Sequence, residues 1–142
     1  VRVAGSGPSD VWAVGDSVIV HFDGTQWSTV QMAGDLRRYL SYAQPQQQGV
    51  FLGIGLWVRG PKEVYLGGDF GVIGRWDGTR WMNAMPETAY YRRRIIAIAG
   101  SSSGCAIALN EGLSQSPGPT LWRGIGTNGC FAAPMGPPTA WP

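Results

Sequence analysis

The stretch PSDVWAVGDSVIVHFDGTQW, Pro8 to Trp27, decides the fold because the chain contains it twice: Pro61 to Trp81 reads PKEVYLGGDFGVIGRWDGTRW. Asp10 and Glu63 stand 53 residues apart (63 − 10), and Asp23 and Asp77 stand 54 apart (77 − 23). One extra residue therefore falls in the turn after Asp16 or Asp69. Val11 to Gly15 reads as a strand with Trp12 and Val14 on one face and Val11 and Ala13 on the other. Gly15-Asp16-Ser17 turns the chain into Val18–Phe22, whose β-branched run suits a pleated surface. Asp23-Gly24-Thr25 is a hairpin turn, in which Gly supplies a positive φ and the Asp carboxylate accepts from nearby amides. Trp27–Gln31 forms the outer strand, and Val1–Ala4, ahead of a Gly5–Asp10 turn, forms the inner one. Four short strands joined by tight turns make an antiparallel meander.

The second copy repeats the plan, with an inner strand ending the apolar run Phe51–Val58, then Glu63–Gly67, Val72–Trp76, the Asp77-Gly78-Thr79 hairpin and Trp81–Ala84. A third copy is degenerate: Ile95–Ala99, Cys105–Leu109, Leu121–Arg123 and Cys130–Ala133. A repeat of this length built only from short β segments and Gly-rich turns points to a propeller, a solenoid or an array. The fold expected is all-β, about three four-stranded antiparallel β-propeller blades in an incomplete ring, since propellers have 4–8. The blades cover about residues 1–32, 51–84 and 94–133. Between them lie an inserted loop over 33–50, with a short helix over Leu36–Ala43 as the other reading, and a loop over 85–93. The tail over 134–142 has four prolines and no pattern. Open blades would expose faces built from Trp12, Tyr65, Phe22 and Trp76, so either the chain is a fragment of a longer propeller or other chains complete its ring; two copies would give six blades.

Composition fits this reading. Gly (22) and Pro (10) make up about a fifth of the chain against a usual eighth, as many tight turns require. Seven Trp supply large rings to fill the space between packed sheets. A net charge of +2 is too small to argue for nucleic acid, and no apolar run approaches a bilayer span. The start at Val1, within a strand-like run and with no signal peptide, fits a processed or fragmentary chain. Cys105 and Cys130 permit one disulfide, implying an oxidising compartment, or stand as two buried thiols. A bond between them would staple the worn third blade, and closing a loop of about 26 residues is worth roughly 3.5 kcal/mol in the chain-entropy model.

DVWAVGD followed by HFDGTQW resembles the Trp-rich β-propeller repeat of secreted bacterial proteins. Gly67-Gly68 with Trp76 and Trp81 is similar to a kelch repeat, and Asp23-Gly24-Thr25 with Trp27 to the Asp-box hairpin of sialidase-like propellers. His21 stands where the Asp box has a small hydroxyl residue. The likeness covers residues 1–84 well and 95–133 loosely. It implies a propeller in a secreted, cell-surface or periplasmic protein and leaves function open, because propellers host enzymes, lectins and docking scaffolds alike.

In a meander of this kind the turns after the second strand and the connections between blades share one rim. Asp16, Asp69 and Phe70 are thus expected beside Arg37, Arg38, Tyr39 and Tyr42 of the first connection and Tyr90, Tyr91, Arg92, Arg93 and Arg94 of the second. Tyr can stack on sugars or peptides, and the Arg fork holds carboxylate or phosphate in a bidentate way. These residues are either a recognition face for a protein or glycan partner or solvated loops whose arginines pair with Asp35 and Glu87. His21, matched by Arg75, is read as a polar position at a strand end, and one histidine without an acidic cluster supports neither a metal site nor another cofactor. Asp10, Glu63, Asp23 and Asp77 are read as turn or cap residues, and Trp27 and Trp81 as core. The function expected is non-catalytic docking of a protein or glycan partner. The alternatives are a structural subunit completed by its neighbours and a sialidase-like glycoside hydrolase; the latter needs dispersed arginines, whereas these are bunched in one loop.

Overall fold

A computed structural model describes residues 1–15, 18–32, 55–68, 72–84, 95–101, 106–110, 120–125 and 134–135. It is all-β. Twelve strands run in chain order: β1 (Arg2–Gly7), β2 (Asp10–Val14), β3 (Ile19–Phe22), β4 (Trp27–Thr29), β5 (Gly55–Gly60), β6 (Glu63–Gly67), β7 (Ile73–Trp76), β8 (Trp81–Asn83), β9 (Ile95–Gly100), β10 (Ala106–Asn110), β11 (Thr120–Ile125) and β12 (Pro134–Met135). They form three four-stranded antiparallel sheets, β1-β2-β3-β4, β5-β6-β7-β8 and β9-β10-β11-β12, each ordered as in sequence. Packing links β1 to β5 and β5 to β9, so the innermost strands of successive sheets are neighbours.

The first two sheets share their register. Trp12 pairs with Ala4 and His21, and Tyr65 pairs with Trp57 and Arg75. Val14 pairs with Ile19 and Gly67 with Ile73, leaving Gly15–Val18 in one turn and the longer Gly68–Val72 in the other, which is where the extra residue of the second copy sits. Both turns close alike, Gly15 N–H donating to Val18 O at 2.9 Å and Gly68 N–H to Val72 O at 3.0 Å. The β1–β2 turn is tighter than its composition suggests: β1 runs on to Gly7, a bulge between Gly5 and Gly7 absorbs the glycines, and Asp10 already belongs to β2.

The hairpins at Asp23 and Asp77 are superimposable in chemistry. Asp23 Oδ1 accepts from Thr25 N at 2.8 Å, Thr25 Oγ1 at 2.7 Å and Gln26 N at 2.9 Å. Asp77 Oδ1 accepts from Thr79 N at 2.8 Å, Thr79 Oγ1 at 2.8 Å and Arg80 N at 2.9 Å. Gly24 (φ 98°) and Gly78 (φ 100°) take the left-handed conformation that residues with a Cβ rarely adopt.

Two cores lie between the sheets. Trp12, Val14 and Ile19 of the first sheet pack on Val58, Val64, Leu66, Val72 and Trp81 of the second. Trp12 meets Trp76 and Trp81 edge-on, with ring centroids 5.7 and 6.1 Å away. The other face of the second sheet, through Tyr65 and Ile73, packs on Ile95, Ile98 and Ala108 of the third. β6 is therefore buried on both faces, which explains its unbroken apolar run Val64-Tyr65-Leu66-Gly67, whereas β2 alternates buried and half-buried. A Cβ on Gly67 would come within 2.3 Å of Ile95 Cγ2, so the glycine sets how closely the third sheet approaches.

Three expectations change. Trp81 is core at 2 % exposure, but Trp27, its counterpart, is 53 % exposed, because no sheet covers that face of the first sheet among the described residues. Trp12 and Tyr65 are wholly buried, not exposed on open faces, and Trp76 packs against the first core; of the four residues expected on open faces only Phe22 lies on an uncovered one. The fourth strand of the third sheet is Pro134–Met135, inside the segment read as a patternless tail. An edge strand tolerates Pro because no neighbour needs its missing N–H, and a two-residue pairing leaves no periodicity to read. Cys105, Cys130 and the Leu36–Ala43 segment lie outside the described residues.

Replacing Gly67 with Ala is expected to cost about 1–3 kcal/mol by overpacking the contact with Ile95 and Ile98. Gly78→Ala is expected to cost about 1 kcal/mol or more through its positive φ. Urea unfolding measures both, and an unchanged midpoint for either would refute the corresponding account.

Candidate functional site

All nine residues expected to form a recognition face (Arg37, Arg38, Tyr39, Tyr42, Tyr90, Tyr91, Arg92, Arg93 and Arg94) lie outside the described residues, as do Asp16, Asp69, Phe70, Asp35 and Glu87. The ends of the two connections that carry them are described. Val30 N–H, just after β4, donates to Ile19 O at the start of β3 at 2.8 Å, and Ala84 N–H, just after β8, donates to Ile73 O at 2.8 Å. At the far end of the second connection Ile95 N–H donates to Gly68 O, in the β6–β7 turn, at 2.9 Å. The chain thus leaves β4 and β8, and enters β9, on the rim that carries the β2–β3 and β6–β7 turns. The β1–β2, β3–β4, β5–β6 and β7–β8 turns occupy the opposite rim.

The strands hold a second polar arrangement, toward that opposite rim. Asp10, 6 % exposed, accepts through Oδ1 from Trp12 Nε1 at 2.9 Å and contacts His21 Nε2 at 2.8 Å, while Ser6 Oγ donates to Oδ2. The His21 ring stacks on Trp12 with centroids 4.3 Å apart. The second sheet has the same wiring in different residues. Glu63 accepts from Tyr65 Oη at 2.9 Å and pairs with Arg59 Nη1 at 2.5 Å, and Arg75 occupies the His21 position opposite Tyr65. Burial, followed by the hydrogen bond to the Glu63 carboxylate and its charge, pushes the Tyr65 phenol up to about 12, with the Arg75 guanidinium opposing. Tyr65 is therefore a fixed neutral donor.

Asp10 and Glu63 are thus not turn caps: each is the acceptor around which a sheet's buried ring is oriented. Serine, aspartate and histidine meet in one cluster, but the arrangement lacks the order a hydrolytic triad needs. Ser6 donates to the carboxylate and not to the imidazole, so His21 is not placed to take its proton. Buried donors on a buried carboxylate satisfy one another and fix the ring they touch. The signal for this network was present in the sequence as a concerted exchange between the copies: Ser6 for Arg59, Asp10 for Glu63, Trp12 for Tyr65 and His21 for Arg75. In the third sheet Ile107, paired with Ala99 and Arg123, stands at the register position of Trp12 and Tyr65, and Arg123 at that of His21 and Arg75.

The hairpin carboxylates of Asp23 and Asp77 are held at about 2. The Thr25 hydroxyl and then the Gln26 and Thr25 amides lower Asp23, and the Arg80 amide followed by Thr79 lowers Asp77. Both are turn formers, as their positions in the repeat imply. No group of three or more His, Cys, Asp or Glu able to hold a metal ion occurs among the described residues, and no helix there is long and apolar enough to cross a membrane.

Depressed carboxylates contribute stability that is complete above about 3.8 and lost as pH falls through about 2; the raised Tyr65 contributes stability that is complete below about 10 and lost as pH climbs through about 12. Unfolding midpoints against pH are expected to fall at both limits, and Tyr65→Phe to flatten the alkaline one. Asp10→Ala, which strips Trp12 Nε1 and His21 of their acceptor, is expected to cost about 1–3 kcal/mol; an unchanged urea midpoint would show the network to be incidental. Comparison with protein-family models, with curated proteins and with solved structures finds no match for this chain.

Proposed function

We propose that the three sheets are blades of a β-propeller and that the chain is a non-catalytic binding module of a secreted or cell-surface protein, docking a protein or glycan partner through its two long connections. One observation carries this reading: the connections spanning 30–54 and 84–94 are anchored on the same rim, one end of the second tied by the Ile95–Gly68 hydrogen bond to the β6–β7 turn. Tyr and Arg are concentrated in these two segments, with Tyr39, Tyr42, Tyr90 and Tyr91 supplying faces for stacking and Arg37, Arg38, Arg92, Arg93 and Arg94 supplying forks for anionic groups. Successive sheets docked through their inner strands, each with sequential strand order, support the propeller. The strand chemistry supports a scaffold, because the strand carboxylates Asp10 and Glu63 of the first two sheets are engaged in holding aromatic rings.

Arg92, Arg93 and Arg94 changed together to Ala are expected to lower affinity for an anionic glycan or acidic peptide found by array screening at least tenfold, with the unfolding midpoint unchanged. Retained affinity for every anionic ligand of the parent would refute the reading, and turnover of chromogenic glycosides would replace it with a hydrolase.

A further inference from the structure

Among the described residues, the first sheet buries one face and leaves the other open. On the open face lie Val3, Val11, Ala13, Val20, Phe22 and Trp27, brought together by the pairings Val3–Ala13–Val20 and Val11–Phe22–Trp27. Val3 is 65 % and Trp27 53 % exposed, and the other four are partly exposed. The internal repeat says what such a face is for. Its counterparts in the second sheet are Leu56, Val64, Leu66, Gly74, Trp76 and Trp81, the face on which the first sheet rests. Val64, Leu66 and Trp81 are buried there because the preceding sheet lays Trp12, Val14 and Ile19 over them. Trp27 is exposed for want of the same cover.

The chain carries a face of the complementary kind at its other end. The third sheet meets the second through Ile98 and Ala108, so its opposite face is the one equivalent to the Trp12 face. Ala97 and Ala99 on that face are exposed. Ile107, Leu109 and Leu121 occupy the register positions of Trp12, Val14 and Ile19, the three residues that the first sheet lays over the second, and all three are apolar residue types. A stack that ended at these sheets would be expected to turn polar residues outward at both ends. This one carries apolar residue types at the register positions of both end faces, and those positions are the two halves of an interface it already contains.

We propose that a second copy of this chain docks head to tail, the third sheet of each copy lying on the first sheet of the other, so that two chains close a ring of six sheets. Heterologous contacts of this type either close or extend into filaments, and six sheets fall within the range in which propellers close. The closure rests on the propeller reading; the docking of the two faces rests only on the repeat.

Sedimentation of the 142-residue chain over a wide concentration range tests it. The expected result is a discrete species of twice 15.2 kDa at high concentration, dissociating on dilution. Trp27→Asp and Ala99→Asp alter opposite ends at exposed positions, and Val3→Asp is a second probe of the first end. Each is expected to give a folded monomer with circular dichroism like that of the parent. Mixing the Trp27→Asp and Ala99→Asp chains is expected to restore a dimer, weaker than the parent's, through the one interface the mixture leaves intact. A folded parent that stays monomeric would overturn the docking and leave the propeller reading standing. A dimer insensitive to Ala99→Asp would overturn the head-to-tail arrangement. Mass growing without limit would overturn closure, and with it the propeller.

Discussion

A four-stranded sheet of short strands has two faces and no interior of its own, and the contact of Trp12 with Trp76 and Trp81 is what supplies one here. The three rings meet edge-on or tilted, at 5.7, 6.1 and 5.8 Å, and close the space between the first two sheets. Edge-to-face pairs add roughly 0.5–1.5 kcal/mol each to the gain from area, and removing a buried Trp costs about 3–5 kcal/mol. Trp12 is wholly buried, so this contact governs whether the first sheet docks at all. Every other feature of the first sheet's buried face serves the placement of that ring: Asp10 holds its N–H, His21 covers its plane, and Val14 and Ile19 fill the space beside it.

The second interface solves the same problem with smaller residues. Where the first sheet has Val14 the second has Gly67, and Ile95 and Ile98 move into the room that the missing side chain leaves. Tyr65 replaces Trp12 and stacks on Trp57 within its own sheet, centroids 5.3 Å apart. An aromatic cluster between sheets has thus become an aromatic pair within a sheet, with aliphatic residues making the contact across. The repeat conserves the backbone register, not the identity of the side chains.

Much of this was legible in the sequence, and for a physical reason. Strand periods, Asp-Gly hairpins and glycine turns are set by residues within a few positions of one another, and the second copy serves as an independent reading of the first. Glu63–Gly67 could be bounded to the residue, and Asp23 and Asp77 could be assigned to their turns. What failed was whatever depends on a partner distant in the chain. Asp10 follows a Gly-Pro-Ser run and reads locally as a cap, but its partner His21 lies eleven residues on, in the neighbouring strand β3. Trp27 and Trp81 are indistinguishable in local sequence; only the neighbouring sheet makes one core and the other surface. The segments richest in Tyr and Arg have no second copy to calibrate them, so the sequence fixes their composition and the fold fixes only the rim from which they leave.

The buried acid also shows why the repeats diverge in the order they do. A carboxylate withdrawn from water is costly unless donors surround it, and an apolar replacement of similar size is often neutral or stabilising. Asp10 is satisfied by Ser6, Trp12 and His21, and Glu63 by Tyr65 and Arg59; neither set can be exchanged one residue at a time without stranding a donor or a charge. This coupling accounts for four positions changing together between the first and second sheets. In the third sheet the position of the ring holds Ile107, opposite Arg123, and offers no aromatic N–H or O–H to orient. The acid thus serves to orient one ring in each of the first two sheets.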